Sequence, residues 1–353
     1  MKKLLLALTA ALLVSGSASA RDQLSLAGSS TVLPFATIIA EEMGKNPNFK
    51  TPVVESGGSS VGKKGVCDGI GTEFIDIGNA SSRMKPAELG YCDKNGVTLT
   101  EIKVGYDGIA VANSLQGATL EISKHDLGMA LTAEISACDG IKGRNFNCDE
   151  WIANPFKKWS DINPAYPAVE IRVYGPPTTS GTRASFAEMV NEKAYCGKSK
   201  NAKAALKAIG AKAKHCRPMR TDGAYIEAGE QDNLIVQKLQ EDKDAFGIFG
   251  FSYLDQNRDT LQSAVVDGTP ADFDLIASGD YAISRALWFY VKHEHMNVIP
   301  GMAEYMKEWT KHWGDDGILA DNGMVPMPDS EREAYAKAMV ELPKLTADIL
   351  KKQ

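Results

Sequence analysis

Short apolar and β-branched runs alternate along the chain with longer segments in which apolar residues recur every three or four positions. The first pattern is typical of buried strands and the second of amphipathic helices. Predicted strands cover residues 22–30, 51–56, 74–80, 96–113, 169–175, 244–253 and 261–266. Predicted helices cover residues 32–44, 182–194, 201–214, 231–242, 302–314 and 330–353. This alternation favours an α/β architecture with helices on both faces of its sheets.

The first 20 residues have the pattern of a secretory signal peptide. Lys2 and Lys3 precede an apolar run at residues 4–14, and the small residues 18–20 form an A-x-A cleavage motif. The apolar run is shorter than the ~20 residues that a membrane-spanning helix needs, and no cysteine follows the motif for lipid attachment. We therefore expect a soluble, exported protein whose mature chain begins near Arg21.

Six cysteines fit an oxidising compartment, where an even number indicates disulfides. Six cysteines allow 15 connectivities, and the sequence alone does not choose among them. Their order along the chain favours pairs between sequence neighbours: Cys67 with Cys92, Cys138 with Cys148, and Cys196 with Cys216. None shows the C-x-x-C spacing of a metal site.

Charge and length narrow the class of protein. Without Lys2 and Lys3, 37 basic residues face 45 acidic ones, a net charge near −8. That balance argues against nucleic-acid binding, which needs a basic face. It is compatible with the binding of a small anion by backbone amides and hydroxyls in a cleft. About 330 mature residues usually form two domains.

Four predicted junctions at helix starts combine small residues with Ser or Thr. They are Gly28-Ser29-Ser30-Thr31, Gly57-Gly58-Ser59-Ser60, Asn79-Ala80-Ser81-Ser82 and Ser180-Gly181-Thr182. A helix start presents unpaired N–H groups and the positive end of its dipole, and hydroxyls add further donors. A single junction of this kind is commonly only an N-cap. Four in one α/β chain favour an oxyanion cradle.

Eight motifs occur in the order and spacing of one known family. They are GSSTVLPF, ESGGSSVGKKG, DIGNASSRMK, YGPPTTSGTRASF, DNLIVQKL, AFGIFGFSY, YAISRALWFYV and MVPMPDSEREA. From about residue 24 to the C-terminus the chain resembles the periplasmic phosphate-binding proteins of bacterial phosphate ABC transporters. The resemblance implies a type II periplasmic-binding fold, in which two α/β lobes flank a ligand cleft.

The resemblance also implies the domain boundaries. After the signal peptide at residues 1–20, residues 21–106 and 284–353 would form the first lobe, and residues 107–283 the second. Two strands would cross between the lobes near the segments 103–113 and 281–288.

Site residues follow from the same motifs. Ser30 and Thr31 match the first phosphate loop of the family, and Ser59, with Ser60 beside it, matches the second. The third loop is matched by Ser180, Gly181 and Thr182.

At two positions that bear on ligand specificity, this chain differs from the enteric branch of the family. In the enteric branch of the family an Arg lies four residues before the Ser-Gly-Thr serine, where this chain has Pro176. Arg83 is our first candidate for the missing guanidinium, and Arg183 the second. That branch also has an Asp that accepts the proton of phosphate, where this chain has Ser81. The first candidate to replace this Asp is Asp107, and the second is Asp232.

Two alternatives stay open at this stage. The ligand could be another tetrahedral oxyanion, such as sulfate, arsenate, molybdate or tungstate. Residues 58–62 also match the G-x-S-x-G motif of secreted serine hydrolases, and five histidines are available for a triad. No H-G-G-G oxyanion motif accompanies it.

The resemblance implies high-affinity binding of inorganic phosphate in the periplasm, without enzyme activity. The expected partners are phosphate and the permease subunits of an inner-membrane ABC transporter with a separate ATPase. We expect no cofactor, no metal and no nucleic acid, and we expect a monomer.

Overall fold

The computed structural model describes residues 21–140 and 147–351, so the signal-peptide prediction lies outside the described residues. Strands are β1 Ser25–Gly28, β2 Val53–Ser56, β3 Ile77–Ala80, β4 Leu99–Ser114, β5 Glu121–Ile122, β6 Glu134–Ser136, β7 Trp151–Ala153, β8 Val173–Gly175, β9 Tyr225–Glu227, β10 Phe246–Gly250, β11 Leu261–Ser263, β12 Val265–Val266, β13 Thr269–Pro270 and β14 Ser284–Lys292.

Helices surround these strands. They are α1 Leu33–Gly44, α2 Ser59–Val66, α3 Pro86–Lys94, α4 Lys124–Leu131, α5 Ala137–Gly140, α6 Trp159–Ile162, α7 Gly181–Phe186, α8 Lys200–Ala208, α9 Asp232–Glu241, α10 Phe251–Asp255, α11 Phe273–Ala277, α12 Met302–His312, α13 Ile318–Asp321, α14 Asp329–Glu341 and α15 Ala347–Lys351. A π-helix, Ala187–Cys196, continues α7. None of the helices in the described part of the chain is long and apolar enough to span a bilayer.

Two sheets share strand β4. The first has the order β2-β1-β3-β14-β4, in which β1 runs parallel to β2 and β3, and β14 runs antiparallel to β3 and β4. The second continues from β4 through β10, β8 and β9, with β11 also paired to β4. Parallel β1 and β3 bring their carboxyl ends to one edge, which is where α/β sheets bind ligands.

Strand β4 passes from one sheet to the other. Its residues 99–108 pair with β14, and residues 109–113 pair with β10. With sixteen residues, β4 is long enough to be a strand of both sheets. The predicted type II periplasmic-binding fold, with two α/β lobes, is confirmed. The residue boundaries of the lobes stay predictions.

Separate apolar cores lie around the two sheets. Side chains alternate along β14, so Leu287 and Phe289 face the α1 and α12 side while Trp288 and Tyr290 face the α2 and α3 side. Around the second sheet, Trp159 and other buried side chains form the largest cluster. The inner strands β3 and β10 are buried at every position, as expected where both faces of a sheet are covered.

The three predicted disulfides are confirmed. Cys67 pairs with Cys92, Cys138 with Cys148, and Cys196 with Cys216. The first ties the end of α2 to α3, so it holds in place the helix that begins at Ser59.

Candidate functional site

The first two junctions of the sequence analysis lie side by side. Ser59, the first residue of α2, accepts a hydrogen bond from the Ser81 backbone N–H at 2.9 Å. The Gly58 N–H donates to the Gly28 carbonyl at 2.9 Å. Gly28 has a φ of 145°, and a Cβ there would lie 2.0 Å from the carbonyl oxygen of Asn79. Glycine is therefore required for β1, β3 and α2 to approach so closely.

The Ser-Gly-Thr motif faces this edge from the second sheet. Ser180 is the N-cap of α7, and its hydroxyl accepts a hydrogen bond from the Thr182 N–H at 3.1 Å. The Thr182 Oγ1 atom lies 3.1 Å from Oγ1 of Thr31, and both residues are fully buried. The first and third loops thus meet through their threonine hydroxyls.

Arg285, the second residue of strand β14, donates hydrogen bonds to both of these hydroxyls. Its Nη2 atom donates to Oγ1 of Thr182 at 2.7 Å and to Oγ1 of Thr31 at 2.9 Å. The same atom donates to Oδ2 of Asp107 at 3.0 Å. We call Thr31, Asp107, Thr182 and Arg285 the buried cluster. Because Arg285 lies on the strand that pairs with β4, the guanidinium sits where the two sheets meet.

One donor of the cluster is unused. Nη1 of Arg285 is buried and has no hydrogen-bond partner among the described residues. A buried guanidinium N–H without an acceptor costs free energy, so this atom favours an added oxygen. The side chain of Arg285 is only 6% exposed, which would strengthen its interaction with an anion.

Both oxygens of Asp107 are occupied. Oδ1 accepts the Phe251 N–H at 3.0 Å, and Oδ2 accepts the guanidinium of Arg285. Burial raises the pKa of the Asp107 carboxyl, while Arg285 opposes that rise. Asp107 thus orients Arg285, and each of its oxygens already accepts at least one hydrogen bond.

Asp232 is different because one of its oxygens is unpaired. Oδ2 accepts the Gly250 N–H at 3.1 Å, while Oδ1 is buried without a partner among the described residues. Burial raises the pKa of Asp232 to about 7, although Gly250 and Arg285 act in the opposite direction. A Cβ on Gly250 would lie 3.0 Å from Thr31, so Asp232 borders the buried cluster.

The two sides of the cleft are in contact in this structure. The Ser60 N–H donates to the Thr179 carbonyl at 3.1 Å, and the Tyr253 hydroxyl donates to the Ser30 carbonyl at 3.1 Å. A Cβ on Gly181 would lie 2.2 Å from Oγ of Ser59. These contacts define a closed arrangement, in which α7 lies directly against the start of α2.

Gly181→Ala should therefore hinder closure. The added methyl group would meet the hydroxyls of Ser59 and Ser81, which hold each other in place. We expect roughly a tenfold or larger loss of affinity for the cleft ligand, with an unchanged melting temperature of the free protein. Gly90→Ala is the control, since nothing lies within 4 Å of a Cβ there. Titration calorimetry measures the effect, and equal affinities of both variants would contradict it.

The structure brings most of the predicted site residues together. Thr31, Asp107 and Thr182 belong to the buried cluster, while Ser30, Ser59, Ser180 and Gly181 lie directly beside its loops. Ser60 is exposed at the cleft, and only its backbone N–H bridges the two sides.

The two arginines predicted to supply the guanidinium lie outside the buried cluster, although Arg83 lines the cavity that adjoins it. Arg83 forms an ion pair with Glu101 at 2.7 Å and lies over the Trp288 ring at 5.2 Å. Arg183 forms an ion pair with Glu227. Arg285 was missed by the sequence analysis, although a lone charge in the apolar crossing segment 281–288 was a usable signal.

The described part of the chain shows no catalytic triad that would support the serine hydrolase alternative. Ser60 would be the nucleophile of the G-x-S-x-G motif, but among the described residues no hydrogen bond joins its hydroxyl to a histidine, and each histidine is paired away from it. These pairs are His125 with Asp126, His215 with Glu134, His293 with Thr100, His295 with Asp76, and His312 with Glu308. Residues 21–140 and 147–351 also contain no group of three or more potential metal ligands.

Fold and site together define a two-lobed binding protein. A PBP superfamily domain matches residues 13–311, and the chain belongs to this superfamily. It is 27% identical over 310 residues to the phosphate-binding protein PstS of Staphylococcus saprophyticus, covering 86% of this chain and 80% of the relative. It is 29% identical over 321 residues to the protein SphX of Synechococcus elongatus, covering 88% and 78%.

Solved structures agree on the fold. An ABC-type phosphate transport receptor from Vibrio cholerae matches with a TM-score of 0.55 at 16% identity, over 87% of this chain and all of that one. A phosphate-binding protein from Stenotrophomonas maltophilia matches with a TM-score of 0.60 at 12% identity, over 89% and 93%.

Proposed function

We propose that this protein binds inorganic phosphate outside the cytoplasm and delivers it to an ABC permease for import. The observation that carries the proposal is Arg285, a buried guanidinium with an unused donor between the hydroxyls of two helix-start loops. A guanidinium and converging hydroxyls suit a tetrahedral oxyanion. Relatives named phosphate-binding protein PstS support phosphate as the ligand.

In this proposal the anion binds between Arg285, Thr31, Thr182 and the hydroxyls of Ser59 and Ser81. It would separate the threonine hydroxyls that contact each other in this structure, and it would accept hydrogen bonds from both sides. A ligand that contacts both lobes has a higher affinity for the closed form, so binding shifts the population towards it. The closed form would then dock on the permease, and the separate ATPase would drive release.

No covalent step is required. The protein would act as a monomer in the periplasm after removal of residues 1–20, without cofactor or enzyme activity. Specificity for phosphate would come from Asp232 rather than from Asp107. The reason is that Asp232 keeps an unpaired oxygen that can accept the proton of the ligand.

Titration calorimetry of the mature chain tests the proposal. We expect one phosphate per chain, similar binding of arsenate, which also carries a proton, and at least roughly a hundredfold weaker binding of sulfate at pH 8. Equal affinity for sulfate, molybdate or tungstate would contradict phosphate specificity. Absence of binding by every oxyanion would overturn the proposed function.

A further inference from the structure

A cavity of about 790 Å³ adjoins the buried cluster. Both sides of the cleft contribute to its wall, Ser60 and Ser81 from one side and Ser185 from the other, and Arg285 reaches it from within. The volume is in the range of small-molecule sites, about 300–1,000 Å³, whereas a phosphate has only five heavy atoms. The cavity, which we call the vestibule, is thus far larger than the proposed ligand.

Basic residues outnumber acidic ones in the wall of the vestibule. Its basic residues are Lys63, Arg83, Lys85, Lys103, Lys193 and Arg285, and its acidic residues are Glu88 and Glu188. All of the basic residues except Lys85 form ion pairs, some with the carboxylates of Glu101, Glu331 and Asp107 behind the wall. Among the described residues of the wall, the uncompensated positive charge is that of Lys85. The mature chain as a whole has the opposite sign, with 45 acidic residues against 37 basic ones. An anion that approaches this acidic protein would therefore be repelled by most of its surface and attracted at the vestibule.

Exposure of the cations decreases towards the buried cluster. Lys85 is exposed, and the side chain of Lys193 is 63% exposed. Further in, Arg83 and Lys103 are 18% and 14% exposed, and Arg285 is 6% exposed. The cations of the vestibule wall thus range from exposed at Lys85 and Lys193 to almost fully buried at Arg285.

Lys85 and Lys193 flank the mouth from opposite sides. Lys193 pairs with Glu188 at 3.0 Å, and Lys85 has no ion-pair partner among the described residues. The pKa of Glu188 is lowered, because Lys193, Arg217 and Lys85 outweigh its burial.

We propose that the vestibule is an anion-capture site that accelerates association of phosphate and then passes it to the buried cluster. The inference rests on the proposed function, and it adds a kinetic role for residues that do not touch the bound ligand. Charged clefts raise association rates by ~10–10³ because they concentrate ions of opposite sign. The effect weakens with salt as the Debye length shortens.

Stopped-flow fluorescence tests the proposal, with Trp288 in the vestibule wall as a reporter. We expect the Lys85→Gln/Lys193→Gln variant to associate with phosphate about three- to tenfold more slowly at ~10 mM salt, with an unchanged dissociation rate. At ~0.5 M salt the difference should nearly vanish.

The matched control is Lys307→Gln/Lys311→Gln on helix α12. It removes the same net charge, and Lys311 pairs with Glu308 as Lys193 pairs with Glu188. Equal slowing in both variants, or a change confined to dissociation, would overturn the vestibule proposal and leave phosphate binding intact. Failure of the unmodified protein to bind phosphate would overturn the proposed function, and this inference with it.

Discussion

Arg285→Gln should nearly abolish phosphate binding. The substitution removes the guanidinium that contacts Thr31, Thr182 and Asp107 at 2.7–3.0 Å and whose Nη1 is unused. Truncating one partner of a buried, hydrogen-bonded charge pair between a protein and what it binds costs about 2–5 kcal/mol of binding free energy. In a dissociation constant this is roughly thirtyfold or more. Titration calorimetry with phosphate measures the loss.

The same change leaves Asp107 buried without its cation, so stability must be separated from affinity. In Arg285→Gln/Asp107→Asn both charges are gone. We expect this double variant to recover most of the free energy of unfolding, measured by urea denaturation, while phosphate affinity stays low. Recovery of affinity together with stability would mean that Arg285 acts only through the fold.

Arg83→Gln is the matched control, because Arg83 also belongs to a largely buried ion pair, with Glu101. We expect it to lose stability and to keep phosphate affinity within about threefold. If Arg83→Gln instead lost binding and Arg285→Gln did not, the guanidinium would be the one that the sequence analysis put first.

Sequence distance explains why Arg285 was not predicted. The hydroxyl loops have a local signal, since each combines small residues with Ser or Thr at the start of a helix. The partners of Arg285 lie 103, 178 and 254 positions away in the chain. Only the pairing of β14 with β4 brings them together, and that register is a tertiary property.

The C-terminal segment shows a second limit of prediction from the sequence. Its helical pattern over residues 330–353 continues past the point where the structure stops α14 at Glu341. Leu342 has a φ of 51°, and the Pro343 carbonyl accepts a hydrogen bond from Thr100 at 3.0 Å. The residue before a proline disfavours the helical region, so the sequence could have predicted the end of the helix at residue 342. The contact between Pro343 and Thr100 of β4 could not be predicted from the sequence.

Asp232→Asn should weaken the discrimination between phosphate and sulfate. The unpaired Oδ1 of ionised Asp232 attracts a ligand that carries a proton and repels one that has none. The amide of Asn at this position can instead donate a hydrogen bond to an unprotonated oxygen of the ligand. We expect sulfate affinity to rise at least about tenfold at pH 8 and phosphate affinity to fall.

The pH dependence has a definite sign. Burial raises the pKa of Asp232 to about 7, against an ordinary value of about 4. Between these values the folded protein keeps a proton that the unfolded chain releases, so the free energy of unfolding falls as pH rises from 4 to 7. Asp232→Asn should remove this fall and raise stability at pH 8 by on the order of 2–4 kcal/mol. Urea denaturation at pH 5 and pH 8 measures both effects.

Sulfate binding by the unmodified protein adds an independent measurement. Below pH 7 the protonated carboxyl of Asp232 can donate to a sulfate oxygen, so sulfate affinity should increase as pH falls, and Asp232→Asn should lose that dependence. Asp255→Asn is the control, since it removes a charge from a carboxylate that is 42% exposed. If sulfate affinity of the unmodified protein were constant from pH 5 to pH 8, Asp232 would not face the ligand. Another group would then have to recognise the proton of phosphate.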